Sequence, residues 1–303
     1  MSASTSRPGV SIVVATYNRS NVLSLAIESA RAQTNRDWEM WVVGDACTDD
    51  TEEIVRSFAD ERIRFVNLPE NWGEQSRPNN EGVARSRGRY VAYLNHDDLW
   101  FPDHLERTVA ALERGSASMV FAVVGLVGPD GATRLMPSWT GRYEPMRVVA
   151  PASGWLLRRE TIDRVGPWRS YRESLLAPSQ DWLRRARAAG ETIEQAPHVT
   201  VLAVQSGTRP GSYARRDDHE QRELLRRMAE PGFREELLSE IAIRASADLA
   251  RPRSAGWYAG RAGRDLAGRL LGARLATVRA LVKYRRRGGF IDRLREVRGL
   301  SAK

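Results

Sequence analysis

The sequence is poor in several features that would point directly to a class of protein. It contains one cysteine, Cys47, which excludes an internal disulfide and has no partner for a CxxC zinc motif. No run of about 18 uncharged apolar residues could span a bilayer, and no apolar signal segment follows the polar residues 1–9. We therefore expect a cytoplasmic protein whose thiol is inert.

A dinucleotide fingerprint is also missing. The first predicted turn from strand to helix holds Thr16, Tyr17, Asn18 and Arg19 rather than GxGxxG, the glycine pattern that lets a backbone approach a pyrophosphate. This disfavours an ordinary dehydrogenase. The 303 residues suffice for one large α/β domain, or for one domain with an appendage.

Positive charge is concentrated near the end of the sequence. The net charge is +9, but residues 251–303 hold 15 Arg and Lys against three acidic residues, which leaves the remainder slightly acidic. Apolar residues at helical spacing over 266–282, interleaved with arginines, predict a basic amphipathic helix. It could adsorb to anionic lipid at the inner face of a membrane, with Trp257 and Tyr258 near the interface, or pack on the body with a solvated basic face. We treat this tail as separate from the functional site.

Strands and helices alternate along the first 207 residues. Strands are predicted at 10–15, 38–43, 63–68, 90–94, 119–127 and 199–204, and helices at 20–34, 51–58, 81–87 and 180–188, with a strand and a short helix within 154–165. This order predicts an α/β fold: a Rossmann-like, mixed and mostly parallel sheet flanked by helices. The sequence further predicts a catalytic domain at 1–207 and an Arg-rich helical extension at 208–303.

An acidic cluster follows the apolar strand that ends at Leu94. Asn95, His96, Asp97 and Asp98 lie between this strand and the segment 100–102, which we expect to be exposed. In open α/β sheets the ligand crevice lies beyond the carboxyl ends of the strands, where oxygen ligands can meet a hard cation and a phosphate. The alternative is a solvated turn in which Asp98 caps a helix that starts near 102.

Five motifs in this order make the chain resemble the family 2 glycosyltransferases over about residues 10–207. They are Ser11–Arg19, Val42–Asp50, Asn80–Gly82, Asn95–Asp98 and Gln180–Trp182. The resemblance implies the fold type called GT-A, with a nucleoside-diphosphate sugar as donor and a hydroxyl group as acceptor. The acceptor could belong to a glycan, a lipid-linked sugar or a small molecule.

The resemblance also implies a donor site. Thr16 and Asn18 would contact the nucleobase, and Asp45 the base or the ribose; the alternative is that Thr16 and Asn18 only cap a turn. Arg77 could bind the diphosphate from a shifted position, because Asn79 stands where the family carries arginine, or it could be a surface arginine. Two further members of the expected site are Asn80 and Asn95.

The same resemblance implies a divalent cation, Mg²⁺ or Mn²⁺, at the family's DxD segment. Asp97 is the expected metal ligand, because Asn95 replaces the first acid, and one carboxylate can suffice when the diphosphate also holds the metal. His96 could be an additional ligand that favours Mn²⁺, or an unligated histidine facing solvent.

For catalysis, the resemblance implies that Asp181 is the general base of an inverting transfer, removing the proton of the acceptor hydroxyl. Gln180 replaces the first acid of the family's usual pair. Asp181 could instead be a first-turn carboxylate stabilised by the helix dipole. Trp155 and Trp182 are expected to stack on the acceptor sugar, although tryptophans also fill cores.

Two other functions compete with sugar transfer. A catalytically inactive sugar-nucleotide binder would explain why Asn95 and Gln180 replace acids. Nucleic-acid binding through the tail would explain its charge, but the body holds no familiar nucleic-acid motif. The hypothesis of transfer requires Asp45, Asp97 and Asp181 to line one cavity.

Overall fold

The computed structural model describes residues 7–137, 141, 143–144, 148–250, 254, 256, 260, 263 and 287–301. The predicted amphipathic helix at 266–282 lies outside the described residues, as do Trp257 and Tyr258. Within the described part of the chain, no helix combines the length and the apolar character needed to cross a membrane.

Nine strands of the described chain form one mixed sheet. They are β1 (Val10–Thr16), β2 (Trp38–Gly44), β3 (Ile63–Asn67), β4 (Tyr90–Tyr93), β5 (Asp98–Trp100), β6 (Met119–Val127), β7 (Thr133–Met136), β8 (Trp155–Arg158) and β9 (Ile193–Val204). Their spatial order is β3-β2-β1-β4-β8-β6-β9-β5, and β7 pairs with β6 outside this path.

Helices cover both faces of this sheet, which is why its central strands are apolar at nearly every position. They are α1 (Ser20–Arg31), α2 (Thr51–Ser57), α3 (Ser76–Arg85), α4 (His104–Arg114), α5 (Arg159–Val165), α6 (Pro178–Ala188), α7 (Ser212–Arg215), α8 (His219–Met228), α9 (Phe233–Ala250) and α10 (Gly289–Arg298). Short 3-10 turns lie at Ala152–Gly154 and Ser206–Thr208.

The strand order reverses direction at β1. From β1 the chain runs outward through β2 and β3, and it then returns to place β4 on the opposite side of β1, with all four strands parallel. β8 pairs antiparallel with β4. A crevice opens outside the carboxyl ends of the strands at such a reversal, so the fold itself positions a ligand site at β1 and β4.

The structure differs from the predicted elements mainly around prolines and at two missed strands, β5 and β7. Pro78 and Pro178 lie in the first turns of α3 and α6, where proline is tolerated because the N–H groups there have no helical acceptor, so both helices begin earlier than predicted. The segment expected to be exposed is buried: Trp100 ends β5, which pairs with β9, and Trp100 and Phe101 are 1% and 3% exposed.

Part of the predicted extension packs on the sheet. Met228, Phe233 and Leu237 of α8 and α9 share a buried cluster with Leu99 and Leu202. Pro231 lies in the break between the two helices, where its ring disfavours a continuous helix. The proposed boundary at 207 therefore divides segments that share a hydrophobic core.

Candidate functional site

A cavity of about 700 Å³ opens at the carboxyl ends of β1, β2 and β4. Five of the predicted donor-site residues line it, and we call them the strand-end wall: Thr16, Asp45, Asn95, His96 and Asp97. The parallel register sets Thr16 beside Gly44, and the amide of Asp45 donates to the carbonyl of Thr16 at 2.8 Å. Residues far apart in sequence therefore meet because parallel strands end at one edge.

The acidic cluster forms a tight turn between β4 and β5. The amide of Asp98 donates to the carbonyl of Asn95 at 3.2 Å, and the amide of Asn95 donates to Ser153 Oγ at 3.0 Å. Asp98 Oδ2 accepts hydrogen bonds from Asn95 Nδ2, at 2.8 Å, and from the Ser153 hydroxyl. Asp98 therefore stabilises the turn, and the alternative in which it caps a helix is wrong, because α4 begins at His104.

The two neighbouring acids differ in charge. Burial, together with the charge of Asp97, raises the pKa of Asp98, so Asp98 keeps its proton near neutral pH. Burial by itself also raises the pKa of Asp97, but the neighbouring groups, among them the guanidinium groups of Arg298 and Arg19, outweigh it and the pKa is lowered. The turn therefore presents one ionised carboxylate to the cavity.

His96 and Thr16 offer hydrogen-bonding atoms that the described protein leaves unused. Burial lowers the pKa of His96, so its imidazole is neutral, and Nδ1 has no partner among the described residues. Its Nε2 lies 3.5 Å from the hydroxyl of Tyr213. The Oγ1 of Thr16 is likewise buried without a partner in the described chain. Buried polar atoms are normally satisfied, so both atoms are available to a water or a ligand in the cavity.

Asp45 shapes the loop that follows β3. Its carboxylate accepts the amides of Trp72 and Gly73, each at 2.8 Å, while its backbone carbonyl accepts Asn71 Nδ2 at 2.7 Å. The next residue, Glu74, lines the cavity, and burial raises its pKa to about 7. Sequence reasoning missed Glu74, because a carboxylate in a polar loop gives no signal that it will be buried.

Three predicted donor-site residues do not line the cavity. Asn18 has a left-handed φ of 46° and its side-chain oxygen accepts the amide of Thr48 at 2.7 Å, so it holds the loop before α2. Asn80 exchanges two hydrogen bonds of 2.9 Å with the backbone of Trp168. Arg77 is exposed, with its guanidinium carbon 5.7 Å from the ring centre of Trp72. For these two residues the structure therefore shows the alternative roles: Asn18 is a turn residue, and Arg77 is a surface arginine.

Asp181 lies in the first turn of α6 beside the cavity, but it does not line it. Ser179 and Gln180 do line it. The carboxylate of Asp181 instead pairs with Arg185 Nε at 3.0 Å and accepts the Ser174 hydroxyl at 3.3 Å. The predicted convergence of three acids on one cavity is therefore found for Asp45 and Asp97 and not for Asp181.

The two tryptophans expected at the acceptor are core residues. Trp155 and Trp182 have no exposed surface, and their ring centres lie 5.9 Å apart in the cluster beneath α5 and α6. The indole of Trp182 donates to the carbonyl of Gly166 at 2.9 Å, and that of Trp155 to the carbonyl of Ala150 at 3.1 Å. The expectation that they stack on a sugar is wrong for this conformation, because neither ring face is open.

The far end of the sequence supplies a second side of the cavity, which sequence reasoning missed. We call it the C-terminal wall: Tyr213 with Leu294, Arg295 and Arg298 of α10. The expectation that the basic tail is separate from the site is therefore wrong for α10. The arginine-rich composition hid this contribution, because a solvated arginine and one that lines a cavity look alike in sequence.

For a divalent cation, the strand-end wall offers the ionised carboxylate of Asp97 and the neutral imidazole of His96. These are a hard oxygen ligand and a nitrogen ligand suited to Mn²⁺, so the residues present fit the predicted ion. Among the described residues, three metal-ligand side chains converge at one place, Asp217, Asp218 and His219, which lies outside the cavity lining.

Fold and site together define the class of protein. An α/β sheet with a cavity at its reversal point and an ionised aspartate after β4 is typical of nucleotide-dependent enzymes. Residues 11–176, more than half of the chain, match the sequence model described as "Glycosyl transferase family 2". The chain therefore belongs to glycosyltransferase family 2, as the motifs predict.

Curated relatives carry related names. The chain is similar to the candidate teichuronic acid biosynthesis glycosyltransferase TuaG of Bacillus subtilis (strain 168), with 35% identity over 41% of this chain and 50% of that protein. It is equally similar to the succinoglycan biosynthesis protein ExoO of Rhizobium meliloti (strain 1021), with 35% identity over 48% of this chain and 41% of ExoO. The chain thus spans about half the length of these relatives or less.

Solved structures show the same fold. S. aureus TarS 1–349 in complex with UDP has a TM-score of 0.58 and 17% identity, covering 96% of this chain and 90% of TarS 1–349. The mannosyltransferase PcManGT of Pyrobaculum calidifontis, in complex with GDP-Man and Mn²⁺, has a TM-score of 0.55 and 19% identity, covering 92% and 87%. The predicted α/β architecture, a mixed sheet flanked by helices, is confirmed.

Proposed function

We propose that the chain is an inverting glycosyltransferase that moves a sugar from a nucleoside-diphosphate sugar to a hydroxyl acceptor. The observation that carries this proposal is the strand-end wall, where ionised Asp97 lies beside the unpartnered Nδ1 of His96 and the unpartnered hydroxyl of Thr16. In a family 2 chain, such a set fits the diphosphate and nucleoside of a donor. Thr16 and Asp45 would contact the nucleoside.

A divalent cation, Mg²⁺ or Mn²⁺, completes this proposal. Asp97 would hold it together with His96, and when bound it would neutralise charge on the departing diphosphate. Because the protein supplies few ligands, free metal should bind weakly. The Mn²⁺ named with PcManGT supports a cation here.

The acceptor is proposed from the relatives. Two of them are named for the biosynthesis of teichuronic acid and succinoglycan, which favours a growing glycan or a lipid-linked sugar over a small molecule. Peripheral contact of the basic tail with an anionic membrane at its cytoplasmic side stays a prediction.

We assign the general base to Asp181. Its position in the first turn of α6, next to cavity-lining Gln180, supports the assignment. An inverting step needs a carboxylate that takes the acceptor proton while the hydroxyl oxygen attacks the anomeric carbon. Because Asp181 does not line the cavity, the assignment requires that its pair with Arg185 opens and its carboxylate turns toward the cavity when an acceptor binds.

Donor turnover tests the proposal. The chain is screened against UDP- and GDP-sugars with Mg²⁺ or Mn²⁺, and the anomeric configuration of the product is read by NMR. Asp181→Asn should lower kcat by roughly a hundredfold to ten-thousandfold, the usual contribution of a general base, with unchanged donor affinity. Asp163→Asn, an exposed acid on α5, should keep the parent rate.

Three results would count against parts of this proposal. An inactive binder would bind a nucleotide sugar without transfer or hydrolysis. Retention of the anomeric configuration would exclude the inverting mechanism. A parent rate in Asp181→Asn would place the base elsewhere, with Glu74 as the next carboxylate to test because it lines the cavity.

A further inference from the structure

Helix α10 is docked on the body close to the carboxyl ends of the strands. The side chain of Leu294 occupies the space that a Cβ at Gly207 would need, so the absence of a side chain there lets the helix approach. The amide of Gly211 donates to the carbonyl of Val297 at 2.9 Å. Ile291 of this helix is buried. These contacts fix α10 as a wall of the cavity.

Arg295 joins this helix to the loop that Asp45 organises. It is buried, and its Nη1 donates to the carbonyl of Gly73 at 2.8 Å while its Nε donates to the carbonyl of Ser301 at 2.9 Å. The amide of Gly73 in turn donates to Asp45. The two walls of the cavity therefore meet at Gly73.

Arg298 lies one turn further along the same face of α10 and lines the cavity. Its Nε is buried without a hydrogen-bond partner among the described residues, and its guanidinium carbon lies 5.7 Å from the ring centre of Tyr213. Tyr213 also lies in ring contact with His96, at 6.1 Å between ring centres. A buried cationic donor without a partner is costly unless a ligand satisfies it.

The charges around Tyr213 favour an anion. The guanidinium carbon of Arg19 lies 5.0 Å from the Tyr213 ring centre, and its buried Nε is also unpartnered in the described chain. Both guanidinium groups therefore lie near one ring, and each has a buried Nε without a partner in the described chain. A phosphate-bearing ligand would supply acceptors to both.

We infer that Arg298 binds the diphosphate of the donor, so that α10 completes the donor site from the far end of the sequence. The inference rests on the proposed function and adds to it a binding residue outside the five motifs and outside the matched residues 11–176. A guanidinium suits this task because its planar donors match phosphate oxygens in pairs.

Calorimetric titration of the full chain with UDP and GDP in the presence of Mg²⁺, and with the nucleosides uridine and guanosine, tests the inference. Arg298→Ala should weaken binding of the preferred diphosphate by roughly tenfold to a hundredfold, as expected for a lost hydrogen bond to a charged group. Affinity for the nucleoside should not change. Arg298→Lys should recover part of the loss. Arg293→Ala is the matched control, because Arg293 is an exposed arginine of the same helix.

Failure of the inference and failure of the proposed function give different results. An unchanged diphosphate affinity in Arg298→Ala, in a parent that binds UDP or GDP, would overturn the role of Arg298 alone. An equal loss for nucleoside and diphosphate would also overturn it, because it would show a general loosening of α10. A parent that binds neither UDP nor GDP and turns over no nucleotide sugar would overturn both.

Discussion

The two walls of the cavity are built by opposite physical routes. The strand-end wall comes from residues 16–97, at the ends of parallel strands whose order and register place them together. The C-terminal wall comes from residues 213–298 and reaches the cavity through the docking of one helix. The first wall is part of the family match at 11–176, and the second lies outside it.

The walls also differ in charge. The strand-end wall contributes the carboxylates of Asp45 and Asp97, whereas the C-terminal wall contributes the guanidinium groups of Arg295 and Arg298. In the proposed site both charges have a use, because the Asp97 carboxylate would hold the cation and the Arg298 guanidinium would hold the phosphates. The difference teaches that one cavity can receive its acidic side chains from strand ends and its arginine side chains from a helix far away in the sequence.

The largest expected effect separates the two neighbouring acids of the strand-end wall. Asp97→Asn should lower kcat/KM for transfer by roughly a thousandfold, about 4 kcal/mol, because it removes the ionised ligand proposed for the cation. Asp98→Asn is the matched control and should stay within a few-fold of the parent, since Asp98 is already neutral and bonded within the turn. Initial-rate kinetics with the best donor provide the measurement.

Equal losses of kcat/KM in Asp97→Asn and Asp98→Asn would contradict the different roles of the two acids. They would show that the turn itself, rather than one charge, is required. Circular dichroism of both variants verifies that the fold is intact. A parent-like rate in Asp97→Asn would remove Asp97 from the metal site.

A smaller effect, on the free energy of unfolding, tests whether Trp182 belongs to the core or to the cavity. Trp182→Phe should destabilise the protein by about 3 kcal/mol, because it opens a space in the core and leaves the buried carbonyl of Gly166 without its donor. Urea unfolding measures this loss. Trp72→Phe should change the stability little, because Trp72 is 37% exposed. A raised KM for the acceptor in Trp182→Phe, without loss of stability, would instead return Trp182 to the acceptor site.

Sequence reasoning succeeded where a residue's position follows from its own strand. The four parallel strands, Thr16, Asp45 and the turn at Asn95–Asp97 were predictable, because apolar runs that stop at polar residues mark the carboxyl edge of a sheet. It could not separate residues of one type that differ only in their partners. Asn18 and Asn95 both follow strands, yet one holds a loop and the other lines the cavity.

Long-range packing accounts for the other misses. Nothing within 287–301 indicates that Leu294 will fill the space above Gly207, and this contact brings Arg298 to the site. The side chain of Asp181 is in the predicted helix, but its direction depends on Arg185, one turn further along. The burial of Trp155 and Trp182 also depends on long-range packing, because the local sequence does not show which face of an indole will be covered.

The smallest expected effect concerns Glu74, which follows Gly73, the residue where the two walls of the cavity meet. Burial, aided by the charge of Asp45, raises the pKa of Glu74 from 4.5 to about 7. The unfolded chain therefore loses this proton first as the pH rises, and the native state loses stability between about pH 4.5 and pH 7.

Relative to Glu74→Gln, which cannot titrate at this position, the parent should lose about 2 kcal/mol of its free energy of unfolding between pH 5 and pH 8. Urea unfolding of both proteins at these two pH values measures the difference. Glu70→Gln is the matched control variant, because it removes an exposed carboxyl from the same loop. If the free energy of unfolding changes equally with pH in the parent and in Glu74→Gln, Glu74 is solvated rather than buried between the two walls.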